Sequence, residues 1–462
     1  MRAGCRRLAV AIGTAAGCCT TLVSARAEGQ SASGARVDFN TDFRAGLMAV
    51  GVGTTASPAY VGQRITEGYL TQPNLFADAM LGPLQFTGTL NFEGYTLKRG
   101  ELNAGIYGEG YIDRRHPHTL VHETMLGIVS PPVGGGARAV RLSLAGGKGF
   151  TPYGTDDPMM RPFVKYPVNH HHAQIIERVV AVGAIAVGDP TRGRGAALEY
   201  GVFNGDEPVS PFAGPQWSRF GDSRSVRVTA KPFATVEVQA SQAFVKSPGI
   251  IQGGAFDHRQ ASASVRYARP GASAMGNMRG HGAAHDAAHD STHDTHDMAD
   301  EPRTGLLYVL AELARTDEGT GATRAFRYES ALVEALGTHA GFTLGLRAEQ
   351  TERPEASRLL DPFRTSSGHI DFQIVGITRW RILTANVGFP ALMVPGIRSA
   401  GVTPFIEVAG AHASARRRPA VFEPREFYGS ATQWSVSVGA RVGIGTMRAR
   451  MGRYGVLNDT MR

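Results

Sequence analysis

The chain has 462 residues, 48 of them basic and 40 acidic, for a formal net charge of +8. The first 27 residues hold four of the basic residues and none of the acidic ones, so the rest of the chain carries 44 − 40 = +4. This modest charge gives little support for nucleic acid as a partner. All three cysteines (Cys5, Cys18 and Cys19) also lie in that stretch, which excludes disulfide and thiol chemistry from the remainder.

The first 27 residues have the features of a secretory signal peptide. A basic start and an apolar run (Leu8–Val23) precede a small-residue cleavage site at Ala25 to Ala27. The apolar run is shorter than the ~20 residues that a membrane-spanning helix needs, and no later stretch approaches that length. We therefore expect residues 1–27 to be removed on export and residues 28–44 to form a lead segment.

The stretch Leu84–Glu93 shows the pattern that dominates the rest of the chain. Its apolar residues, such as Phe86 and Leu90, share one parity, and its polar residues, such as Thr87 and Thr89, share the other. Successive side chains of a β-strand point to opposite faces, so this strand would have one apolar and one polar face. Both a soluble sandwich and a membrane barrel with lipid outside and water inside use such strands.

Repetition of this alternation favours the barrel. We predict an all-β, transmembrane antiparallel β-barrel of roughly 14–16 strands over residues 45–457, because single-chain bacterial barrels use even strand numbers. The last strand is expected to stop near Leu457, before a short polar C-terminal extension at 458–462. Thr304–Arg315 and Tyr328–Leu336 also fit helices, but their parity favours strands. The clearest other alternating segments are 139–144, 226–229, 236–239, 261–267, 342–347, 370–374 and 434–444.

Residues 275–300 form the most specific local signal in the sequence. Histidines recur there every four residues, most of them followed by aspartate, with methionines on either side. Imidazoles bind Zn, Cu and Ni, thioethers favour Cu(I), and a spacing of four would align the rings if the segment became helical. We expect a solvated loop that binds a transition metal, with no cofactor required by the fold. The candidate ligands are His281, His285, His289, His293, His296 and Met298.

Two other segments, 113–122 and 156–172, are dense in titratable groups. Charged rings set ion selectivity in channel constrictions, and the same nitrogen and oxygen side chains also bind metals. Residues of this kind also pair with one another on a wet lumen wall, and the sequence leaves the three interpretations open. The candidates for a pore constriction are Asp113, Arg114, Arg115, His116, His118, Asp156, Asp157, Arg161, His170, His171 and His172.

Three segments carry a resemblance to known proteins. GEGYIDRRHPH (Gly108–His118), FTPYGTDDPMMRPFVKYPVNHHH (Phe150–His172) and YGVFNGDEP (Tyr200–Pro208) are similar to segments of a porin-like group of Gram-negative outer-membrane proteins. The resemblance spans most of the chain after residue 27 and implies an outer-membrane barrel, but it carries over no catalytic or binding residues. Some members of the group are found beside metal-resistance genes. The copper-resistance B family also pairs a barrel with a Met/His-rich segment, near its N-terminus rather than inside the chain, so that likeness is an analogy.

These features favour a porin-like channel of the cell outer membrane that passes small solutes or ions and binds metal at its His-rich loop. Its partners would be outer-membrane lipid, small solutes and metal ions, and both a monomer and a homotrimer stay open. A secreted or periplasmic all-β metal-binding protein is the alternative. A barrel hydrolase would use residues such as His171 or Asp157, but no nucleophile-elbow, zinc-protease or phosphate-loop motif occurs, so we expect no enzyme. The length of the His-rich loop favours the outside of the membrane.

Overall fold

The computed structural model of the chain describes most of the residues after 40. They are 41–60, 63–97, 118–155, 157–168, 170, 176–191, 193–206, 208, 210–246, 256–269, 305–354, 377–397, 399–416, 423–446, 448 and 450–458. The expected signal peptide lies outside these residues, as does the alternating segment at 370–374. Among the described residues, no helix is both long and apolar enough to cross a membrane.

The described strands form one antiparallel sheet that closes on itself. The sheet closes because β1 pairs with β17 from Gly46↔Gly445 to Ser57↔Trp434. Sixteen strands make the barrel, and β15 is a two-residue strand that pairs beside β16. The prediction of an all-β barrel of 14–16 strands is confirmed. The strands are β1 Thr41–Tyr60, β2 Gln63–Leu81, β3 Leu84–Asn91, β4 Val121–Val129, β5 Val140–Phe150, β6 Glu177–Gly188, β7 Gly195–Phe203, β8 Ser223–Phe233, β9 Val236–Val245, β10 Asp257–Ala268, β11 Gly305–Thr320, β12 Thr323–His339, β13 Phe342–Pro354, β14 Ile377–Gly388, β15 Leu392–Met393, β16 Ala400–Ala415 and β17 Thr432–Gly445, with short helices α1 Glu93–Thr96 and α2 Pro424–Tyr428.

The alternation in the sequence decides which face of each strand points inward. On β3, Thr87 and Thr89 are buried inside the barrel, whereas Leu84 is 51% exposed on the outer wall. On β17, Ser435 and Ser437 point inward, and Val436 and Val438 point outward. An outer wall covered by large apolar side chains is the reverse of a soluble protein surface and suits contact with lipid. The two-sheet sandwich that the same alternation allowed is therefore not the fold.

The two ends of the barrel differ in their connections. One end, called here the short-turn end, has tight turns at 82–83, 234–235 and 340–341, and the barrel chain both enters and leaves there, at Thr41 and Gly445. The opposite, long-loop end carries the connections 92–120, 151–176 and 204–222. The chain leaves β10 at Ala268 and enters β11 at Gly305, and both of these strand ends belong to the short-turn end.

The limits of the barrel differ from those expected. The first strand begins at Thr41, inside the expected lead segment, and the last strand ends at Gly445 rather than near Leu457. Even-numbered residues of β17 face outward, so a longer strand would have pointed Arg448 and Arg450 at lipid. Gly445 has a φ of +77°, and there the chain leaves the wall and enters the lumen. Of the two segments that could have been helices, residues 305–315 lie in strand β11 and residues 328–336 in strand β12, as predicted from their parity.

A charge on the outer wall tests the assignment of the lipid-facing side. Val438 is 59% exposed in the middle of the six outward residues of β17 that run from Trp434 to Ile444. We expect Val438→Arg to lower the free energy of unfolding by about 2–4 kcal/mol, because a guanidinium at the bilayer midplane loses its hydration. Unfolding in urea, followed by the heat-dependent gel shift of barrels, measures the change.

The control is Thr432→Arg, which is outward-facing on the same strand but lies at its long-loop end. An interfacial arginine should cost at most about 1 kcal/mol. Equal costs at residues 432 and 438 would contradict a lipid-facing band on this wall.

Candidate functional site: the narrowed lumen

The inner face of the barrel is charged, and its charges are paired. Arg227 on β8 donates to both carboxylate oxygens of Glu199 on β7, and Arg347 on β13 donates through Nε to Glu334 on β12 at 2.8 Å. All four side chains are at most 1% exposed. Because an isolated buried charge is costly, the pairing is what allows these groups to line a crowded lumen.

The connection from β5 to β6 folds into the barrel instead of away from it. We call residues 151–168, of which 156 is not described, the inner segment. Its aromatic side chains Tyr153, Phe163 and Tyr166 are almost fully buried. A short 3₁₀ turn, Pro158–Met160, is capped by Asp157, which accepts a hydrogen bond from the backbone N–H of Met159 at 2.8 Å. The inner segment is thus an ordered part of the interior.

The inner segment crosses the lumen to strands β11, β12 and β13. Arg161 Nη2 lies 3.0 Å from Glu312 of β11, and Arg161 Nη1 lies 3.8 Å from Glu334 of β12. The backbone N–H of Val168 donates to Glu349 of β13 at 2.8 Å. The segment leaves from β5 and returns to β6, so these contacts tie it to the opposite side of the barrel. The lumen is narrower where the segment crosses it.

Two wall arginines also hold the backbone of the inner segment. Arg347 donates to the carbonyl oxygen of Lys165 at 2.8 Å, and its guanidinium lies 4.4 Å from the ring centre of Phe163. Arg441 of β17 donates to the carbonyl oxygen of Arg161 at 3.3 Å. The planar guanidinium of Arg347 thus donates to a backbone carbonyl and also lies over an aromatic ring.

A buried cluster of histidines and carboxylates joins the near end of the inner segment to the wall. His122 Nδ1 lies 2.8 Å from Glu177, and His122 Nε2 lies 3.6 Å from Asp157 of the inner segment. The ring of His118 is 5.0 Å from that of His122, and His118 Nδ1 is 3.1 Å from Glu93. Through imidazole–carboxylate pairs and the contact between the two rings, this cluster links α1, β4, β6 and the inner segment.

Glu93, on α1, is held as a carboxylate by its neighbours. Burial alone would raise its pKa, but the hydrogen bond and charge of His118 lower it below the usual range. The Thr71 hydroxyl donates to Glu93 at 2.6 Å, and the backbone N–H of Gln72 donates at 2.9 Å. Gln72 has a φ of +52°, at the bulge where β2 changes register, so the bulge aims this N–H at the carboxylate.

Four of the predicted constriction residues are described, and all four lie in the lumen. His118 and Asp157 come together around His122, whereas Arg161 binds the opposite wall. His170 stacks on Tyr166, with ring centres 5.4 Å apart. The other seven candidates, Asp113, Arg114, Arg115, His116, Asp156, His171 and His172, lie outside the described residues, as do the candidate metal ligands His281, His285, His289, His293, His296 and Met298.

A second segment that enters the lumen, here called the tail (residues 448–458, of which 449 is not described), was not expected from the sequence. Arg448 donates from Nε and Nη2 to both oxygens of Asp78 at 2.7 Å and from Nη1 to Glu123. It also donates to the backbone oxygen of Gly88 at 2.7 Å. The side chain is 2% exposed, so one guanidinium joins β2, β3 and β4 from within.

The tail also binds the inner segment. Arg450 is paired with Glu237 at 2.7 Å, and both Arg450 and Arg453 donate to the carbonyl oxygen of Thr155. The Tyr454 hydroxyl donates to Glu123 at 2.8 Å. The tail and the inner segment therefore form one connected body inside the barrel.

Close packing of the tail depends on glycine. Gly455 has a φ of +59°, and a Cβ at this position would lie 2.2 Å from the hydroxyl oxygen of Ser143 on β5.

The sequence does contain a signal for the tail, because arginines recur at 448, 450 and 453 with no acidic residue nearby before Asp459. Such a run needs carboxylates from elsewhere, and the inward faces of β2, β4, β7 and β9 supply them.

The described part of the lumen contains no set of three or more His, Cys, Asp or Glu side chains arranged to hold a metal ion. The His118–His122 cluster instead consists of contacts between imidazoles and carboxylates.

Comparisons with known proteins find likeness in structure only. No family model matches the chain, and no curated protein is detectably similar to it. The anion-selective porin from Comamonas acidovorans is 9% identical, with 88% of this chain and 100% of that porin covered, at a TM-score of 0.44. OmpT, an outer membrane protein of Vibrio cholerae (trimer form), is 10% identical over 87% of this chain and 99% of its own, at 0.43. OccAB2 of Acinetobacter baumannii is 8% identical over 88% and 98%, at 0.36. At these TM-scores nothing about ion or substrate preference is carried over to this chain.

Removal of the Arg448 guanidinium should release the tail. We expect Arg448→Met to weaken docking of the tail by about 3–5 kcal/mol, because it leaves the buried carboxylates of Asp78 and Glu123 without their partner. The measurement is the rate at which a maleimide labels Asn458→Cys, a position that is 3% exposed when docked. Labelling should be at least about tenfold faster in the double variant than in Asn458→Cys alone.

The matched control is Arg425→Gln, which replaces an exposed arginine on α2. Combined with Asn458→Cys, this substitution should give the same labelling rate as Asn458→Cys alone. Unchanged labelling in the Arg448→Met background would show that the ion pairs of Arg448 do not hold the tail.

Proposed function

We propose that the chain is an outer-membrane channel for small polar solutes or ions, with a passage narrowed by the inner segment and the tail. The observation that carries this proposal is the inner segment itself, which is tied by Arg161 to Glu312 and Glu334 on the far wall. A closed barrel with an apolar outer wall and a polar inner wall supports the membrane location. Charged groups fixed at a constriction are what set selectivity in such channels.

The proposed orientation follows from the connections between strands. Barrels of this class have short periplasmic turns and longer external loops, so the short-turn end would face the periplasm. The inner segment enters from the long-loop end and would therefore narrow the passage from the outside.

Because the described charges of the lumen are paired, we expect the channel to select only weakly between anions and cations. A single substitution that removes one charge should shift this preference. Arg161 is 3.0 Å from Glu312, so Glu312→Gln leaves its guanidinium with Glu334 as the remaining carboxylate, 3.8 Å away. We expect the anion-to-cation permeability ratio to rise about threefold or more, because the local field becomes more positive. Reversal potentials of single channels in a planar bilayer under a salt gradient measure this ratio.

Glu329→Gln is the matched control, because Glu329 is an exposed carboxylate on the outward face of β12. It should leave the reversal potential unchanged. No discrete conductance from the folded wild-type barrel would overturn the channel, whereas a conductance that Glu312→Gln leaves unaltered would overturn only the assignment of this constriction.

We further propose that the His-rich loop binds Zn, Cu or Ni at the periplasmic face. Its flanking strands end at Ala268 and begin at Gly305, both at the short-turn end, and this topology outweighs the expectation from length that the loop faces outside. Regular histidine spacing and neighbouring methionines support the metal class.

The metal proposal has its own test. Replacement of His281, His285, His289, His293 and His296 by Asn keeps the length of the loop and removes the imidazoles. We expect zinc or copper binding, measured by equilibrium dialysis, to fall at least about tenfold, because imidazole nitrogen is the preferred ligand of these ions. Deletion of residues 281–296 should match the substituted variant. Equal binding by all three proteins would refute a metal site in the loop.

A further inference from the structure

The outer wall carries a strongly basic patch at the long-loop end of five neighbouring strands. Outward positions there hold six arginines and three carboxylates, for a formal charge of 6 − 3 = +3. Their outward direction follows from the register, since Asp317 pairs with Arg327 and Glu352 with Arg379 on the face opposite the lumen. The patch consists of Arg315, Arg324, Arg327, Arg379, Arg381 and Arg416 with Asp317, Glu329 and Glu352.

The carboxylates of the patch organise the arginines without neutralising them. Glu352 is 2% exposed and lies 2.7 Å from Arg379 Nη2 and 3.1 Å from Arg416 Nε. Arg327 is bidentate to Asp317, at 2.6 and 3.2 Å. The three most exposed arginines lie at its rim: Arg315 and Arg324, 3.3 and 3.9 Å from Asp317, are 50% and 53% exposed, and Arg381 is also exposed.

A groove in the outer wall lies directly beside the arginines, on the side toward the middle of the barrel. Its cavity of about 720 Å³ is bordered by Arg315 and Arg379 and floored by small side chains, among them Ala261, Ala263 and Ala331. A second hollow of about 590 Å³ continues it past Arg381. Near this end of the wall, the Arg416 side chain also donates to the backbone oxygen of Arg327 on β12.

We infer that the patch and the groove together bind a phosphorylated, acylated glycolipid of the outer leaflet. Arginine fits phosphate oxygens through paired N–H donors, and the patch keeps several guanidinium groups at the membrane surface. The alanine-floored groove below them is wide enough for an acyl chain, whose burial is favourable. The inference depends on the proposed orientation, because only the outer leaflet meets the long-loop end.

Charge decides between this ligand and a second copy of the chain. Two copies that met through this surface around a twofold axis would bring two patches of +3 together. A lipid without phosphate would leave the exposed guanidinium groups facing an uncharged headgroup. An anionic amphiphile satisfies both the basic rim and the apolar groove.

The test uses the full-length barrel in detergent and a bisphosphorylated, hexa-acylated glucosamine disaccharide as the probe. Arg315→Gln/Arg381→Gln removes two exposed arginines that border the two hollows. We expect its dissociation constant for the probe, measured by native mass spectrometry, to rise at least about tenfold, as loss of two charge-assisted contacts implies. The wild type should bind the probe at least about tenfold more tightly than the same disaccharide without phosphates.

Arg64→Gln is the control, because Arg64 is exposed on the outward face at the same end of β2, which β1 and β17 separate from the nearest strand of the patch. It should bind the probe like the wild type, and all variants should keep the heat-dependent gel shift. Equal binding by the double variant and the wild type would overturn the site, as would binding that ignores the phosphates. A change of oligomeric state in the double variant, with lipid binding intact, would instead assign the surface to contact between copies.

A negative result for the glycolipid site can be distinguished from a negative result for the channel. The double variant should conduct like the wild type, since both arginines lie on the outer wall. A conducting barrel that binds the probe equally in every variant loses only the glycolipid site. A barrel that binds the probe through these arginines but never conducts loses only the channel.

Discussion

The need to pair every backbone polar group within the membrane governs the structure. Water is absent from the hydrocarbon layer, so an open sheet edge there would leave a row of N–H and C=O groups without partners. Closure of β1 on β17, over twelve aligned residue pairs, removes both edges. Once the sheet is closed, each strand must turn one face to lipid and one to the lumen, which is why the period of two dominates the sequence.

A sixteen-stranded barrel also creates a wide interior, and the chain uses its own segments to narrow it. The inner segment and the tail bring Arg161, Arg448 and Arg453 into the lumen, and the walls supply glutamates at matching positions. A wholly apolar interior would have required apolar inward faces and so lost the contrast between the two sides of each strand. Paired charges keep the inner face hydrophilic and still allow dense packing.

The strand pattern was readable from the sequence because it is local, whereas the lumen was not, because its contacts are distant. The alternation that assigns Val436 and Ser437 to opposite faces is visible within a few residues. Arg448, in contrast, pairs with Asp78, which is 370 positions away in the sequence. The charge-dense stretch 156–172 overlaps the segment that crosses the lumen, where Arg161 contacts Glu312, and a constriction formed by its residues stays a prediction. β17 ends at Gly445 rather than near Leu457 because Arg448 and Arg450 would occupy outward positions facing lipid, and these arginines are the stop signal in the sequence.

The contacts of Thr155 mean that the tail and the inner segment cannot move independently. Its carbonyl oxygen accepts hydrogen bonds from Arg450 and Arg453 of the tail, while its hydroxyl donates to Glu312 on β11 at 2.6 Å. Withdrawal of the tail would leave that carbonyl without two buried donors, whereas Arg161 would still hold Glu312. The inner segment would then be loosened at its start and fixed at its middle. The position of the inner segment in the lumen therefore depends on the tail as well as on its own contacts with the far wall.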